Sequence, residues 1–553
     1  MILLSWLLFL LVLLQSLRDP AFARGSLLNF AYPLTLLTAI LCFSSLFPWI
    51  LRFTKGRKAG IAICLVLTLT VFIAVPPGYR VLSDETNLLS VSQSMHRDRS
   101  ILNVTEAKSV HGHLQAINGG IPTRPLLFPF LTSLIHTSTG YRYQNVFFLN
   151  FLMLFGILIL TWIPIEERKG KLVALSAVLL LLSIPTLALS GTSAGFDTCA
   201  LMFLVLGVVI LDRLQKKPTT EACQAFIPSL ILLSQVRYES GVYALALMIL
   251  AMALRRTRAI LDQTSRTVLV MLPWFFLPMV LQRILTPDGY ENPPGVPPFS
   301  FGHLITHTRL LLSGMVFPKP EFPYPSLLNL ISSVLGVAIF ILLRPFKRSG
   351  SAPLLMWALL LIPLLNLGLV LSHHFGRFTH PTQARLFLPF LASLVLIPVW
   401  AHLKKPEWVP RPALLGLAVG SWILYLPVAS EARFTRSLVS IRETQEGYRF
   451  LSQHGDPRTL LITSHPGQYT VSGQGAFGFR TANQRKHSLV GELKRGFLSK
   501  ILVFQKHSYA TGRPIPDEEL DPVFQLRAIE DFMVTPEEFI RVSKIDPPRE
   551  AIR

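Results

Sequence analysis

Residues 224–254 read QAFIPSLILLSQVRYESGVYALALMILAMAL, and whether they cross a membrane once or twice decides the fold. A helix covers the hydrocarbon core with about 20 apolar residues, and about 17 suffice. As one crossing, this stretch would hold Arg237-Tyr238-Glu239 at mid-depth, where a charged side chain costs about 2.5–3.5 kcal/mol on insertion scales. Two short tilted helices, 224–236 and 240–254, that meet at the far face remove the cost. The rest of the chain tests that choice.

A membrane is required by composition. The chain has 553 residues, 51% hydrophobic and only 15% charged, whereas soluble domains devote about a quarter of their residues to charge. Apolar segments at 2–17, 27–51, 59–75, 143–165, 171–190, 196–211, 224–236, 240–254, 267–285, 326–343, 352–372, 386–403 and 412–430 read as about 13 spans. Residues 2–17 could pass for a signal sequence, with Ala21-Phe22-Ala23 as a cleavage site, but no basic residue precedes the apolar run, which favours an uncleaved span. The four cysteines, Cys42, Cys64, Cys199 and Cys223, lie in or beside apolar segments with no C-x-x-C pair, so neither a disulfide framework nor a zinc site is expected.

Charge then orients the chain. With the 224–254 hairpin counted as two crossings, alternate loops collect Arg52 to Lys58, Arg168 to Lys171, Arg213 to Lys217, Arg255 to Arg266, Arg344 to Arg348 and Lys404 to Arg411. They hold 20 Lys and Arg against six acids, +14 of the formal net charge of +21. Cytoplasmic loops carry such an excess. The basicity therefore records topology and excludes nucleic acid as its cause. The expected chain is a multi-pass integral protein of the bacterial inner (plasma) membrane, its N-terminus cytoplasmic.

Three polar regions share the outer face: a first loop from Pro76 to Arg142, a Pro-rich loop from Thr286 to Pro325, and everything after about Glu431. The last holds two strand-like runs, Thr459 to Ile462 and Lys500 to Phe504, and Thr535-Pro536-Glu537-Glu538 reads as a helix start. The expected fold is an all-α polytopic bundle with a small extracytoplasmic α/β domain. Its divisions are 1–58, two additional N-terminal spans; 59–430, a membrane catalytic module with outer loop 76–142; and 431–553, the soluble domain.

The first outer loop opens with Ser83-Asp84-Glu85-Thr86-Asn87. Adjacent carboxylates just beyond a bilayer can supply a general base or hold a divalent cation, or Ser83 or Asp84 can simply cap a helix. Leu88, Val91 and Met95 share one helical face, with Asn87, Ser94 and Arg97 toward water. His111 and His113 lack a third nearby ligand and read as loop histidines. Asp197 starts the sixth span, as a cap or as a functional carboxylate. Arg237 and Glu239 tip the hairpin, as an ion pair or as a site. Arg377 and Arg385 flank the lead-in to a late span, and Arg385 either snorkels or grips a phosphate bidentately. Ionisable groups at membrane depth are functional candidates by default.

The order and sidedness of these motifs resemble the GT-C superfamily of integral-membrane glycosyltransferases, which includes protein O-mannosyltransferases and aminoarabinose transferases. The matching residues are Asp84-Glu85 opening a long first outer loop, Arg124-Pro125-Leu126-Leu127 to Phe130-Leu131, the hairpin at Arg237-Tyr238-Glu239, Ala384-Arg385-Leu386-Phe387-Leu388-Pro389, and a terminal soluble domain. The resemblance implies transfer of a sugar from a polyprenyl-phosphate donor to a protein, lipid or glycan acceptor on the outer face. It implies Asp84 as the base with Glu85 beside it, and Arg385, Arg124 and Arg377 on the donor phosphate. Asp197, Arg237 and Glu239 are second-tier, and Asp84, Glu85 and Asp197 are the ligands if a divalent cation serves. The chain departs from the family in its two additional leading spans, in Thr86-Asn87 where aromatic residues are common, and in Leu386 where the family has Tyr. A polytopic transporter and a non-catalytic scaffold of the same architecture are the alternatives.

Overall fold

The computed structural model describes residues 1–553 except 111–112, 217, 254–256, 288–294, 317–325, 344–353, 381, 405, 432–438 and 547–553. Contacts divide the chain into two units. One comprises Met1–Arg80, Thr123–Leu131 and Val146–Thr435; the other comprises Val81–Pro122, Thr132–Asn145 and Arg436–Arg553. Much of the first outer loop therefore groups with the C-terminal region, where the sequence reading had kept it with the membrane module.

The first unit is helical. Among the described residues, five helices are long and apolar enough to cross a bilayer: Pro20–Thr54, Asn145–Lys169, Arg266–Leu285, Ala384–Lys404 and Arg411–Ser430. A sixth arises if Lys171–Leu182 and Pro185–Gly191, bent by 79°, count as one broken span. Shorter apolar helices include Ile2–Arg18, Lys58–Ala74, Thr220–Ser234 and Ser240–Ala253. A 15-residue helix rises about 22 Å, less than the about 30 Å of hydrocarbon, so length alone secures five or six of the expected crossings.

Several local readings change. Segment 171–190 is not one rod: Ile184 is extended (φ −83°, ψ 103°) before Pro185, as the clash of a proline ring with the preceding residue demands. The Pro-rich loop carries a helix at Phe301–Val316, which the flanking prolines disguised. Residues 224–254 do form two helices, Thr220–Ser234 and Ser240–Ala253, around a turn at Arg237-Tyr238-Glu239.

Ion pairs tie three of the basic loops together. Arg57 meets Glu166 and Glu167, Arg213 meets Glu167, Arg52 meets Glu221, and Arg168 binds both oxygens of Asp212 at 2.5 and 2.6 Å. Leu3, Leu14, Phe30, Ile73 and Leu245 stand exposed on the helices, a surface suited to lipid rather than water.

The second unit is built on a seven-stranded mixed sheet in the order β2-β1-β4-β3-β5-β7-β6. Its strands are β1 (Asn103–Val110), β2 (His113–Gly120), β3 (Thr459–Thr463), β4 (Gly475–Phe477), β5 (Lys500–Ser508), β6 (Gln525–Met533) and β7 (Glu538–Asp546). β4, β3 and β5 run parallel, and the flanking hairpins are antiparallel. Leu460, Ile462, Phe477, Ile501 and Val503 form the core on one face; Leu461, Leu502, Phe504 and Val542 form it on the other.

Two expectations fail in this unit. Thr535 to Glu538 is a turn, in which Thr535 Oγ1 accepts from the Glu537 and Glu538 amides; the β-branched run that follows continues as β7 rather than as a helix. The other concerns the helix Leu82–Asp98: Leu88, Val91 and Met95 are buried and Arg97 is exposed as expected, but Ser94, with Ser90 and Ser92, is buried instead of facing water. Its hydroxyls are satisfied internally, Thr86 Oγ1 by Leu82 O, Ser92 Oγ by Leu89 O and Ser90 Oγ by Val104 O.

Candidate active site

In the helical unit, four of the singled-out residues come together: Asp197, Arg237, Glu239 and Arg385. Asp197 is the first residue of the helix Asp197–Lys216. Pro185 breaks the preceding helix, and the fully buried Asn150 holds the turn before Asp197, its amide donating to Ser193 O at 2.8 Å and Gly195 O at 2.7 Å. Asp197 Oδ1 pairs with Arg237 Nη1, and its Oδ2 accepts from Arg385 Nη1 at 2.9 Å. Glu239 Oε1 meets Arg237 Nε at 2.5 Å. Arg237 also lies over the Phe196 ring, 4.6 Å from its centroid, and Arg385 Nε donates to Thr382 O.

Only 4% of the Asp197 side chain is exposed, against 12% for Arg237 and 13% for Arg385. Two guanidinium groups and two carboxylates make the quartet formally neutral. Pairing of this kind is what permits charges at such burial. Arg385 is thus ion-paired rather than snorkelling, and Asp197 is more than a cap. The same helix carries Asp212 of the opposite ion-pair cluster, about 22 Å along its axis.

A pocket of about 340 Å³ opens on the quartet, lined also by Leu201, Leu204, Tyr243 and Pro389. Leu201, Leu204 and Pro389 are shared with an apolar groove of about 950 Å³, which runs on past Val205, Val208, Ile362 and Trp400 to Arg168. Cations at the mouth of an apolar groove suit an amphiphile with an anionic head. Arg124 and Arg377 are not among the residues lining either cavity. Gln282 donates to Arg124 O at 3.0 Å, and the Arg377 amide donates to Gln383 Oε1 at 2.8 Å.

In the other unit, Asp84 and Glu85 occupy the first turn of Leu82–Asp98 and are 8% and 1% exposed. Glu85 Oε2 accepts from the Val81 amide at 3.0 Å, so the cap is made by Glu85 reaching back, with neither Ser83 nor Asp84 as the capping residue. His113 opens β2 opposite Val110; His111 lies outside the described residues.

No three His, Cys, Asp or Glu side chains group as a metal site among the described residues. Both Asp197 oxygens are engaged by guanidinium groups and Glu85 by a backbone amide. Of the three carboxylates, Asp84 and Glu85 belong to one unit and Asp197 to the other.

Three further groups escaped sequence reading. Asn366, alone in an apolar helix, donates to Tyr243 Oη at 2.8 Å and Leu386 O at 2.9 Å, tying the pocket wall to the residue after Arg385; Asn150 acts on Asp197 in the same way. Polar residues lodged in apolar helices are the signal that would have found both. The third looks like a nucleophilic triad: Ser92, His136 and Asn145. Its hydrogen bonds run the wrong way. Asn145 Nδ2 donates to Gly140 O and to His136 Nδ1, so Nε2 carries the proton and donates to Ser92 Oγ. Burial, then His96 and Arg97, holds this imidazole down to about 3. It is a neutral structural link.

Comparison with known proteins follows the path of the chain only. No protein-family model matches, and no curated protein sequence does. Two crystal structures of ArnT from Cupriavidus metallidurans, one bound to undecaprenyl phosphate and one in the apo state, match with TM-scores of 0.49 and 0.45 at 11% and 13% identity; each covers 88% of this chain and 98% of its own. The Archaeoglobus fulgidus oligosaccharyltransferase, tethered to an acceptor peptide, matches at 0.38 and 10%, over 82% of this chain and 70% of its own.

Proposed function

We propose that the protein is a membrane glycosyltransferase that moves a sugar from a polyprenyl-phosphate donor to a protein, lipid or glycan acceptor on the outer face of a membrane crossed about 13 times. The observation that carries this reading is the arginine-lined pocket continuous with an apolar groove. The prenyl chain takes the groove, whose apolar lining matches the hydrocarbon it leaves. The phosphate takes the guanidinium groups of Arg385 and Arg237, fixed in advance by Asp197, Glu239 and Phe196.

In the reaction, Asp84 accepts the proton of the acceptor hydroxyl as its oxygen bonds to the anomeric carbon, and the bond from that carbon to the phosphate oxygen breaks with inversion. Negative charge builds on the leaving phosphate, where preorganised cations act most strongly. Glu85 keeps the first turn of the helix that presents Asp84. General-base assistance contributes typically 10²–10⁴-fold, so Asp84→Asn should cost at least 10²-fold at unchanged protein level. Glycan profiles of cells carrying wild type, Asp84→Asn or Arg385→Ala test this, together with lipid extracts of each purified protein. Full transfer by Asp84→Asn would overturn the base assignment, and a wild-type extract free of polyprenyl phosphate would overturn the donor.

A further inference from the structure

The acidic helix Leu82–Asp98 leads directly into β1, and β1 carries a carboxylate that the reaction above does not use. Glu106 is 7% exposed. Its Oε1 accepts from the Gly478 amide at 2.7 Å; its Oε2 accepts from Thr481 Oγ1 at 2.7 Å and from Asn118 Nδ2. Gly478 and Thr481 bracket the start of the helix Phe479–Gln484, just after β4. The register of β1 against β2 slips on either side of Glu106, and such bulges re-aim a side chain. A Cβ at position 478 would lie 2.9 Å from Glu106 Oε1, so a side chain there would push the carboxylate aside.

From Glu106 the connection to the acidic pair is short. Val104, two residues back, accepts from Ser90 Oγ at 2.8 Å, and Asn103 Nδ2 donates to Asn87 Oδ1 at 3.1 Å. Asn87 lies one helical turn from Asp84. Elsewhere β1 meets β4 through the register pair Ala107 with Ala476, and Lys108 meets Glu492 of the helix Lys486–Lys494 at 2.8 Å. Glu106 is therefore a buried polar link between the strand that follows the acidic helix and the C-terminal sheet, beside the packing of Pro466–Thr470 on both.

We propose that Glu106 is a positioning residue for Asp84: it locks β1 to the turn at Gly478, so that the C-terminal sheet holds the acidic helix. This rests on the reading of Asp84 as the base. Without the carboxylate, the half-buried Gly478 amide and the buried Thr481 hydroxyl lose their acceptor and Asn118 Nδ2 keeps only its bond to Thr481 Oγ1, so the strand loosens at the end that grips Asn87.

Hydrogen exchange on the full-length protein in detergent, read by mass spectrometry, tests the link without any need for activity. Glu106→Ala should speed exchange of the 82–98 amides at least tenfold while β3 and β5 stay protected, and Glu106→Gln, which keeps one acceptor oxygen, should recover most of the protection. Turnover should fall with unchanged donor KM and recover in Glu106→Gln. Unchanged protection of 82–98 in Glu106→Ala, with β3 and β5 intact, overturns the proposal. Should Glu106→Ala open β3 and β5 as well, Gly478→Ala carries the test, since it displaces the carboxylate but keeps its charge: faster exchange in 82–98 supports the link and wild-type exchange overturns it. Full activity of Asp84→Asn would sink the base assignment while leaving the exchange result standing, so the two failures are separable.

Discussion

Replacing Asp197 by asparagine removes one carboxylate from two ion pairs with almost no change of shape. At an effective dielectric of about 20, charges about 4 Å apart attract by about 4 kcal/mol. Asparagine keeps a hydrogen-bond acceptor for one arginine but turns an NH₂ toward the other. Stranding a buried charge costs about 3–5 kcal/mol, and that is the loss expected. Unfolding entropy scaled from small domains gives about 1 °C per kcal/mol for a chain this long, so the midpoint should fall by about 3–5 °C in detergent. Two additions make the experiment diagnostic. Asp197→Asn/Arg237→Gln should recover part of the loss, because the quartet is again neutral. A polyprenyl phosphate should stabilise Asp197→Asn more than wild type, because the phosphate supplies the missing anion, whereas the uncharged prenol of equal length should not. An unchanged midpoint in the single variant, or equal stabilisation by phosphate and prenol, would refute the reasoning.

Three further outcomes are expected. The His136 imidazole is held near 3 when folded, against an ordinary 6.5; the unfolded chain thus binds more protons between these values, and stability present above pH 6.5 should fall by up to about 1.4 kcal/mol per pH unit below it. Denaturation series from pH 7 to 4 should show that slope, and His136→Gln should flatten it. Gly447→Ala should destabilise by about 1–3 kcal/mol although alanine is the better helix former, since its Cβ would fall 2.9 Å from Phe504; thermal melts decide the sign. Asn366→Leu strands the Tyr243 hydroxyl beside Arg385, and should raise donor KM severalfold in a transfer assay with little change in expression.

Local physics was readable in advance, and partnership across the chain was not. Arg237-Tyr238-Glu239 could be recognised as a turn because charge is intolerable at mid-membrane, and Thr459 to Ile462 as a strand because a short apolar run between polar segments has few other uses. Ile184-Pro185 was misread because apolar composition continues straight through the break; only the proline rule marks it. The helix Phe301–Val316 was hidden by prolines that bound it rather than interrupt it. The quartet's members were singled out separately, each with a plain local explanation, and only folding gives Asp197 two arginines at once. Glu106 drew no attention, since one acid in a polar loop has no pattern around it.

The junction of β1 with β4 also sets a timetable. Glu106 and Gly478 are 372 residues apart in sequence; at synthesis rates of about 5–20 residues per second, roughly 20–75 s separate their emergence from the ribosome. Throughout that interval the hairpin of residues 103–120 waits with one strand edge open, the condition in which chains mispair. Glu106 changes its role over the same interval: a hydrated charge that discourages premature pairing becomes, once Gly478 arrives, the bond that closes the sheet.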